Sequence, residues 1–393
     1  MIKQLISGHI VFAIVLSAVS QSTIDSVLRT ISANNKTILA EQQNLVVQKS
    51  RYKTGLTPDD PVINYDYMIG SPVTAGDQTD ITITQAFDFP TVYIRKKNIS
   101  GLLISRAEFH FASQRQEILF LAQKACIELV YRNRLHIQLA LRKLGAEKLL
   151  SDFKARLITG EGNVLDVGKA QLQLIETNKH FQNNLSSISR LNQQLTQSNG
   201  GKIILFTDTI YALISPLPAF EQLEGEIESM DPVRKSLEKE KLLSQQQLEL
   251  SKVMWLPKFE AGYHYQGILG QRFNGFHAGI TIPIWQNSYS VRTQKANLLL
   301  TDLNLADHGN EHYYEIKQLY EKYNNLRITL GEYERVFNSL GNIALLNKAL
   351  QAGQISTIDY FLEQSYYYNF HSGFLETEME LHMVLAELLK HKL

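Results

Sequence analysis

The sequence predicts a mainly α-helical fold with a small β part, built twice from one unit: helix, β-hairpin, long helix, helix. Three observations carry that reading. The nine prolines stand at 58, 61, 72, 90, 216, 218, 232, 257 and 283, leaving 91–215 and 284–393 free of them. Proline inside a helix costs about 3 kcal/mol and belongs to turns and strand edges. The two proline-free stretches therefore read as long helices, and the proline-bearing ones as something else. Short segments of apolar–polar alternation fall among the prolines, and residues of one half recur in the other at a nearly constant spacing.

That spacing identifies a duplication. Asn35-Lys36 matches Asp231-Pro232, and Asp60-Pro61 matches Leu256-Pro257, each 196 positions apart. Ile83–Phe87 aligns with Ile280–Ile284 at 197, where Arg95 falls on Arg292. Gly160, Asp166 and Gln171 match Gly353, Asp359 and Gln364 at 193. Each match is weak alone; their common order carries the inference.

Composition narrows the function classes. The chain has 393 residues, 39 Lys+Arg against 39 Asp+Glu, and 44% hydrophobic residues. Zero net charge leaves no basic footprint for nucleic acid. The single cysteine, Cys126, excludes an internal disulfide and a Cys-rich zinc site. After residue 20 there is no apolar run of about 18 or more residues, so no spanning helix is expected.

In chain order, residues 1–20 have the layout of a secretory signal peptide. Lys3 supplies the positive start, Ile10–Leu16 the apolar core, and Ala18-Val19-Ser20 the cleavage site; a buried N-terminal helix is the competing reading. The first repeat is expected over 21–199, with its hairpin at about 60–90. There Ile63, Tyr65 and Tyr67 oppose Asn64 and Asp66, and the partner strand runs through Ile81–Thr84. Helices are expected over about Thr91–Thr159 and Leu165–Gln197. A linker or equatorial segment, 200–220, holds Gly200-Gly201, the apolar Ile203–Phe206, and Pro216 and Pro218.

The second repeat is expected over 221–393. Asp231 is a good N-cap and Pro232 sits at N1, opening a helix to about Trp255. Its hairpin lies at about 256–285. Phe259, Ala261, Tyr263 and Tyr265 alternate with Glu260, Gly262 and His264; Gly267–Gly275 reads as the turn, and Ile280–Ile284 as the return strand. Helices follow over about Gln286–Ala352 and Thr357–Lys390. Four strands cannot close a barrel, and open edges are not viable in lipid, whereas three copies would supply twelve strands. The two tryptophans, Trp255 and Trp285, stand where helix meets strand. They fit an interfacial aromatic girdle or, alternatively, two core positions.

The hairpin Leu256-Pro-Lys-Phe259…Gly262…Gly279-Ile-Thr-Ile-Pro-Ile-Trp285 and the turns Phe153–Val167 and Leu346–Tyr360 together resemble the TolC family of outer-membrane efflux channels. The likeness covers nearly all the mature chain, in order and with the duplication. It implies a homotrimer whose twelve-stranded β-barrel sits in the outer membrane and continues as a long α-helical barrel across the periplasm. It also implies a periplasmic adaptor protein and an inner-membrane pump as partners, outer-membrane lipid as surroundings, and no enzyme activity or cofactor. Adaptor docking would fall on the turns, at Arg156, Leu157, Gly160, Gly162, Leu350, Gly353 and Gln354. The pore constriction would fall on Asp359, supplemented by Glu363, with Asp166 the counterpart in the first half. A ring of three carboxylates in a narrow mouth would bind cations and repel anions. The competing reading is that both aspartates serve their helix starts. Leu362 departs from better-known members, which carry a second acidic residue there.

Sharper motifs do not compete. His308-Gly-Asn-Glu-His312 matches an inverted zinc-protease pattern, but no third ligand is indicated, and exposed helix-surface histidines account for it. Gly160-Glu-Gly-Asn163 lacks the Lys-Ser/Thr of a phosphate loop. Tyr366–Tyr368 is read as packing between helices. No catalytic constellation and no metal site is expected. The alternative from another class is a periplasmic coiled-coil scaffold or adaptor-like protein whose hairpins pack into a soluble domain.

Overall fold

The computed structural model describes residues 23–213, 215–339 and 343–393; the expected signal peptide lies outside them. The first half runs α1 (Thr23–Asn34), α2 (Lys36–Arg51), β1 (Val62–Met68), β2 (Gln78–Phe87), α3 (Pro90–Ile158) and α4 (Val164–Ser198). The second runs α5 (Phe220–Met230), α6 (Pro232–Val253), β3 (Lys258–Ile268), β4 (Gln271–Thr281), α7 (Ser290–Ser339), α8 (Ile343–Gln351) and α9 (Thr357–Leu388). The duplicated unit is therefore present, including its caps. Asn35 Oδ1 accepts the Ile38 N–H at 2.9 Å. The Asp231 carboxylate accepts the N–H groups of Val233 and Arg234.

Helix α3, 69 residues long, extends about 100 Å. No isolated helix of that length holds its shape from propensity alone; packing along its sides supplies the stability. One apolar cluster joins α1, α3 and α4 through Ile31, Leu129, Val130, Leu191 and Leu195, with Phe206 of the connecting segment inserted. A second joins α5, α7 and α9 through Leu223, Ile227, Tyr323 and Leu381. A third lies at the far end, where Leu149 and Phe153 of α3 meet Ala170, Leu350 and Tyr360. Arg106–Glu240 and Arg134–Glu378 add ion pairs between the halves. Cys126 is fully buried, and burial pushes its thiol up to about 12, leaving a small packing residue without thiolate chemistry.

The four strands form one antiparallel sheet in the order β1-β2-β3-β4, so the two hairpins pair with each other through β2 and β3. One expectation shifts here. The second hairpin turns at Leu269-Gly270, both with positive φ, and not across Gly267–Gly275; those glycines lie in the strands. A two-residue turn with left-handed residues matches strand twist, so both strands lengthen. Over the span expected as one helix at 286–352 the described residues form α7 and α8; residues 340–342 between them lie outside the described residues.

Beside the Arg134–Glu378 pair, His382 stacks on Tyr211 with ring centroids 4.0 Å apart. Burial, reinforced by the Arg134 charge, lowers the His382 imidazole to about 4. The unfolded chain then takes up the proton first as pH falls from about 6.5, so this group's stabilisation is complete above that pH and lost towards pH 4. Glu378, raised by burial, works in the opposite sense, so the isolating measurement is a difference between proteins. Thermal melts at pH 7 and pH 4.5 are expected to show a smaller acid-induced fall in Tm for His382→Phe than for the wild type.

Candidate functional site

The two turns at the far end of the long helices are built alike. Helix α3 closes with Gly160 at φ +79°, its N–H bonded to the Leu157 carbonyl (3.3 Å) and the Glu161 N–H to the Arg156 carbonyl (3.0 Å). Helix α8 closes with Gly353 at φ +65°, its N–H bonded to the Leu350 carbonyl (3.1 Å) and the Gln354 N–H to the Ala349 carbonyl (2.9 Å). This is the Schellman arrangement, in which a left-handed glycine satisfies the last carbonyls of a helix. Gly162 is required for a different reason: a Cβ there would lie 2.6 Å from the Leu157 backbone nitrogen.

The outgoing helices are capped in register. Asn163 Oδ1 accepts the Leu165 N–H (2.9 Å), and Ser356 Oγ accepts the Asp359 N–H (3.1 Å). Asp166 and Asp359 are both third residues of their helices, where a carboxylate favours the positive end of the helix dipole by about 0.3–1 kcal/mol. The Ser356 hydroxyl donates to Asp359 Oδ2 at 2.7 Å, and Asp166 Oδ1 lies 3.7 Å from Lys169 Nζ. The helix-start role thus has direct geometric support in both aspartates.

Asp359 and Glu363 are exposed and one turn apart, and neither meets a basic side chain among the described residues. On the opposite face of α9, Tyr360 and Gln364 are buried in a polar chain. Gln173 of α4 donates to Gln364 (2.7 Å), Gln364 to the Tyr360 hydroxyl (2.9 Å), and Tyr360 to Asn347 of α8 (2.7 Å). Burial pushes the Tyr360 phenol up to about 12, so it stays a donor at any physiological pH. This network ties α9 to α4 and α8. It was not legible in the sequence, although Ser356-x-x-Asp359 before an apolar stretch carries the signal of a helix start.

Of the expected docking residues, Arg156, Gly160, Gly353 and Gln354 are exposed, and Leu157 and Gly162 are half-buried. Leu350 is not available to a partner. It is buried in the tip cluster with Leu149, Phe153 and Tyr360, because its position on α8 faces α3 and α9. Tyr366 is 62% exposed, whereas Tyr367 and Tyr368 are half-buried, the latter under the Arg142 guanidinium at 4.2 Å.

At the other end, pairing register sorts the sheet into two faces. One face carries Ile63, Tyr65 and Tyr67 of β1, then Ile81, Ile83 and Phe87 of β2. It continues through Phe259, Ala261, Tyr263 and Tyr265 of β3 to Phe276, Ala278 and Ile280 of β4. The other face carries Asn64, Asp66, Asp80, Thr82, Thr84, Glu260, His264 and His277. His264 and Asp80 lie 3.4 Å apart on it, and His277 and Glu260 3.2 Å. The apolar face is open: Ile63 is 68% exposed and Phe276 90%. Trp255 and Trp285, at the base of this hairpin, are 43% and 80% exposed, which excludes the core reading for this chain. Among the described residues no helix is long and apolar enough to cross a membrane.

No family profile and no curated protein matches the chain. Solved structures do. The outer membrane protein VceC of Vibrio cholerae superposes with a TM-score of 0.77 at 12% identity, covering 94% of this chain and 95% of that one. The CmeC outer membrane channel of Campylobacter jejuni gives 0.73 at 13%, covering 94% and 85%. The open-state MtrE outer membrane channel of Neisseria gonorrhoeae gives 0.63 at 13%, covering 94% and 88%. The chain has the fold of these channels, the one its sequence resembles.

Replacing Gly162 or Gly353 by Ala is expected to loosen the tip, the latter by about 1–2 kcal/mol for a left-handed residue with a Cβ. Hydrogen exchange should quicken over 150–170 or 345–360 respectively, and leave the β-sheet protection unchanged.

Proposed function

We propose that the chain is one third of a passive outer-membrane exit duct for efflux. The carrying observation is the four-stranded sheet, apolar and open on one face, polar on the other, and joined directly to helices of about 100 Å. Among the described residues, edge strands β1 and β4 have no second neighbour. Lipid supplies no hydrogen-bond partner for such edges, so the sheet must close on itself through further copies. Three copies joined β4 to β1 give twelve strands, within the range of outer-membrane barrels. The apolar face then meets lipid, the polar face lines a water-filled lumen, and Trp255 and Trp285 sit at the interface.

The long helices of three copies would continue the tunnel across the periplasm, with the two turns at its inner end. Arg156, Gly160, Gly353 and Gln354 are the surface there for a periplasmic adaptor protein, which links the duct to an inner-membrane pump. Asp359 and Glu363 then contribute acidic side chains near the mouth, three of each per trimer. An aqueous ring of carboxylates attracts cations and raises the barrier to anions. Energy comes from the pump; the duct needs no catalytic group or cofactor. A soluble scaffold would cover its apolar sheet face, and among the described residues nothing covers it.

Two measurements test this. The protein extracted from outer membranes in detergent is expected to run as a trimer and to conduct in a planar bilayer; a monomer that stays in solution without detergent overturns the duct. Asp359→Ala should lower cation block or change single-channel conductance, and an unchanged response leaves only its helix-start role. Neighbouring β3 residues test the assignment of faces. Tyr263→Arg should deplete the membrane-inserted trimer, since arginine facing lipid at mid-depth costs about 2–4 kcal/mol, whereas His264→Arg should assemble normally.

A further inference from the structure

The histidine pair of α7 acquires a partner that its own segment does not contain. His308 and His312, four residues apart on one helix face, stack with ring centroids 5.4 Å apart and planes 15° from parallel. Asp231, from the start of α6, reaches the same point: its Oδ2 lies 3.2 Å from His308 Nε2. One ligand atom from each of the three side chains falls within 4.8 Å of the others. They line a cavity of about 180 Å³ between α3, α6, α7 and the chain's C-terminal end, together with Gln116, Glu315 and His391.

We infer that Asp231, His308 and His312 form a binding site for a divalent first-row transition ion of zinc type. The donor set, two imidazoles and one carboxylate, is that of zinc centres with an open coordination position. Two donors each about 2.0–2.1 Å from a tetrahedral ion stand about 3.3 Å apart, close to the His308–Asp231 separation. The His312 donor, within 4.8 Å of the other two, would have to move inward by side-chain rotation to share the ion, and the cavity leaves room for a water as fourth ligand.

Charge favours a cation here. Asp231 is only 8% exposed, and among the described residues no lysine or arginine lies within ion-pair reach of it. The nearby bases are committed elsewhere: Arg234 to Glu228 and Glu238, Lys390 to Glu117. The carboxylate is also held in place, because it accepts the Val233 and Arg234 N–H groups as the cap of α6. Glu311, the base of the protease-like pattern, is exposed and outside the cavity, so it does not serve this site. A bound ion would tie the α5–α6 junction to the middle of α7 and so stiffen the second repeat. The equivalent cap in the first repeat is the neutral Asn35, which makes the site a property of one repeat only.

The site stands apart from the duct reading, since it needs only one folded chain. The test uses the full-length protein in detergent, tag-free and stripped with a chelator, titrated with zinc chloride in a calorimeter and with cobalt(II) by visible absorption. One ion per chain is expected, with the intense d–d bands of tetrahedral cobalt and a zinc-dependent rise in Tm. Asp231→Asn reproduces the first repeat's own cap, so it should keep the metal-free Tm while weakening zinc by about 10-fold or more. His308→Gln with His312→Gln should abolish the cobalt bands. No uptake by the wild type, or uptake unchanged in both variants, overturns the site whatever the bilayer measurements show.

Discussion

An antiparallel sheet with two unpaired edges and one apolar face has no stable setting as a single copy. In water the apolar face invites aggregation, and in lipid each bare N–H and C=O of an edge strand loses its hydrogen-bond partner. The pairing of β2 with β3 imposes this condition. It fuses the two hairpins into one sheet, aligns their apolar rows across four strands, and leaves β1 and β4 as edges. Under the proposed trimer, each of those edges closes against the edge of a neighbouring copy.

The helices depend on the same geometry. Each hairpin hands its chain to a helix too long to stand unsupported, and lateral packing replaces the missing globular core. The clusters are accordingly strung along the length: one around Leu129 and Leu195, one around Tyr323 and Leu381, one at the tip around Phe153 and Tyr360. At the tip the two repeats solve one problem in the same way. A left-handed glycine ends one helix, a polar cap begins the next, and an aspartate sits three residues in. Helix capping and a place at the mouth are compatible for Asp359, because the cap uses its backbone N–H and one oxygen while the side chain stays exposed.

Duplication also shows where the halves have diverged. Asn35 and Asp231 perform the same capping, yet only the second brings a charge, and only there do two histidines of α7 stand opposite. A cap identified from sequence as purely local chemistry becomes part of a three-residue cluster once α6 packs on α7. His308 and His312 had too little chemistry on their own segment to mean anything. The missing ligand lay 77 residues away.

The sequence by itself determined the local structure. Proline placement, alternation, caps and the recurrence near 196 positions are short-range or self-comparative signals, and they fixed the helix–hairpin–helix unit, its duplication and both tip turns to within a few residues. The hairpin turn at Leu269-Gly270 escaped because glycines at 267, 270 and 275 are equally permissive on paper; only cross-strand register chooses among them. Tertiary structure alone decided which hairpins pair, that the apolar rows form one face, that Leu350 is buried and that Asp231 meets two histidines. Each of these is a contact between segments far apart in the chain. Residue identity sets what such contacts can do, and packing sets which ones exist.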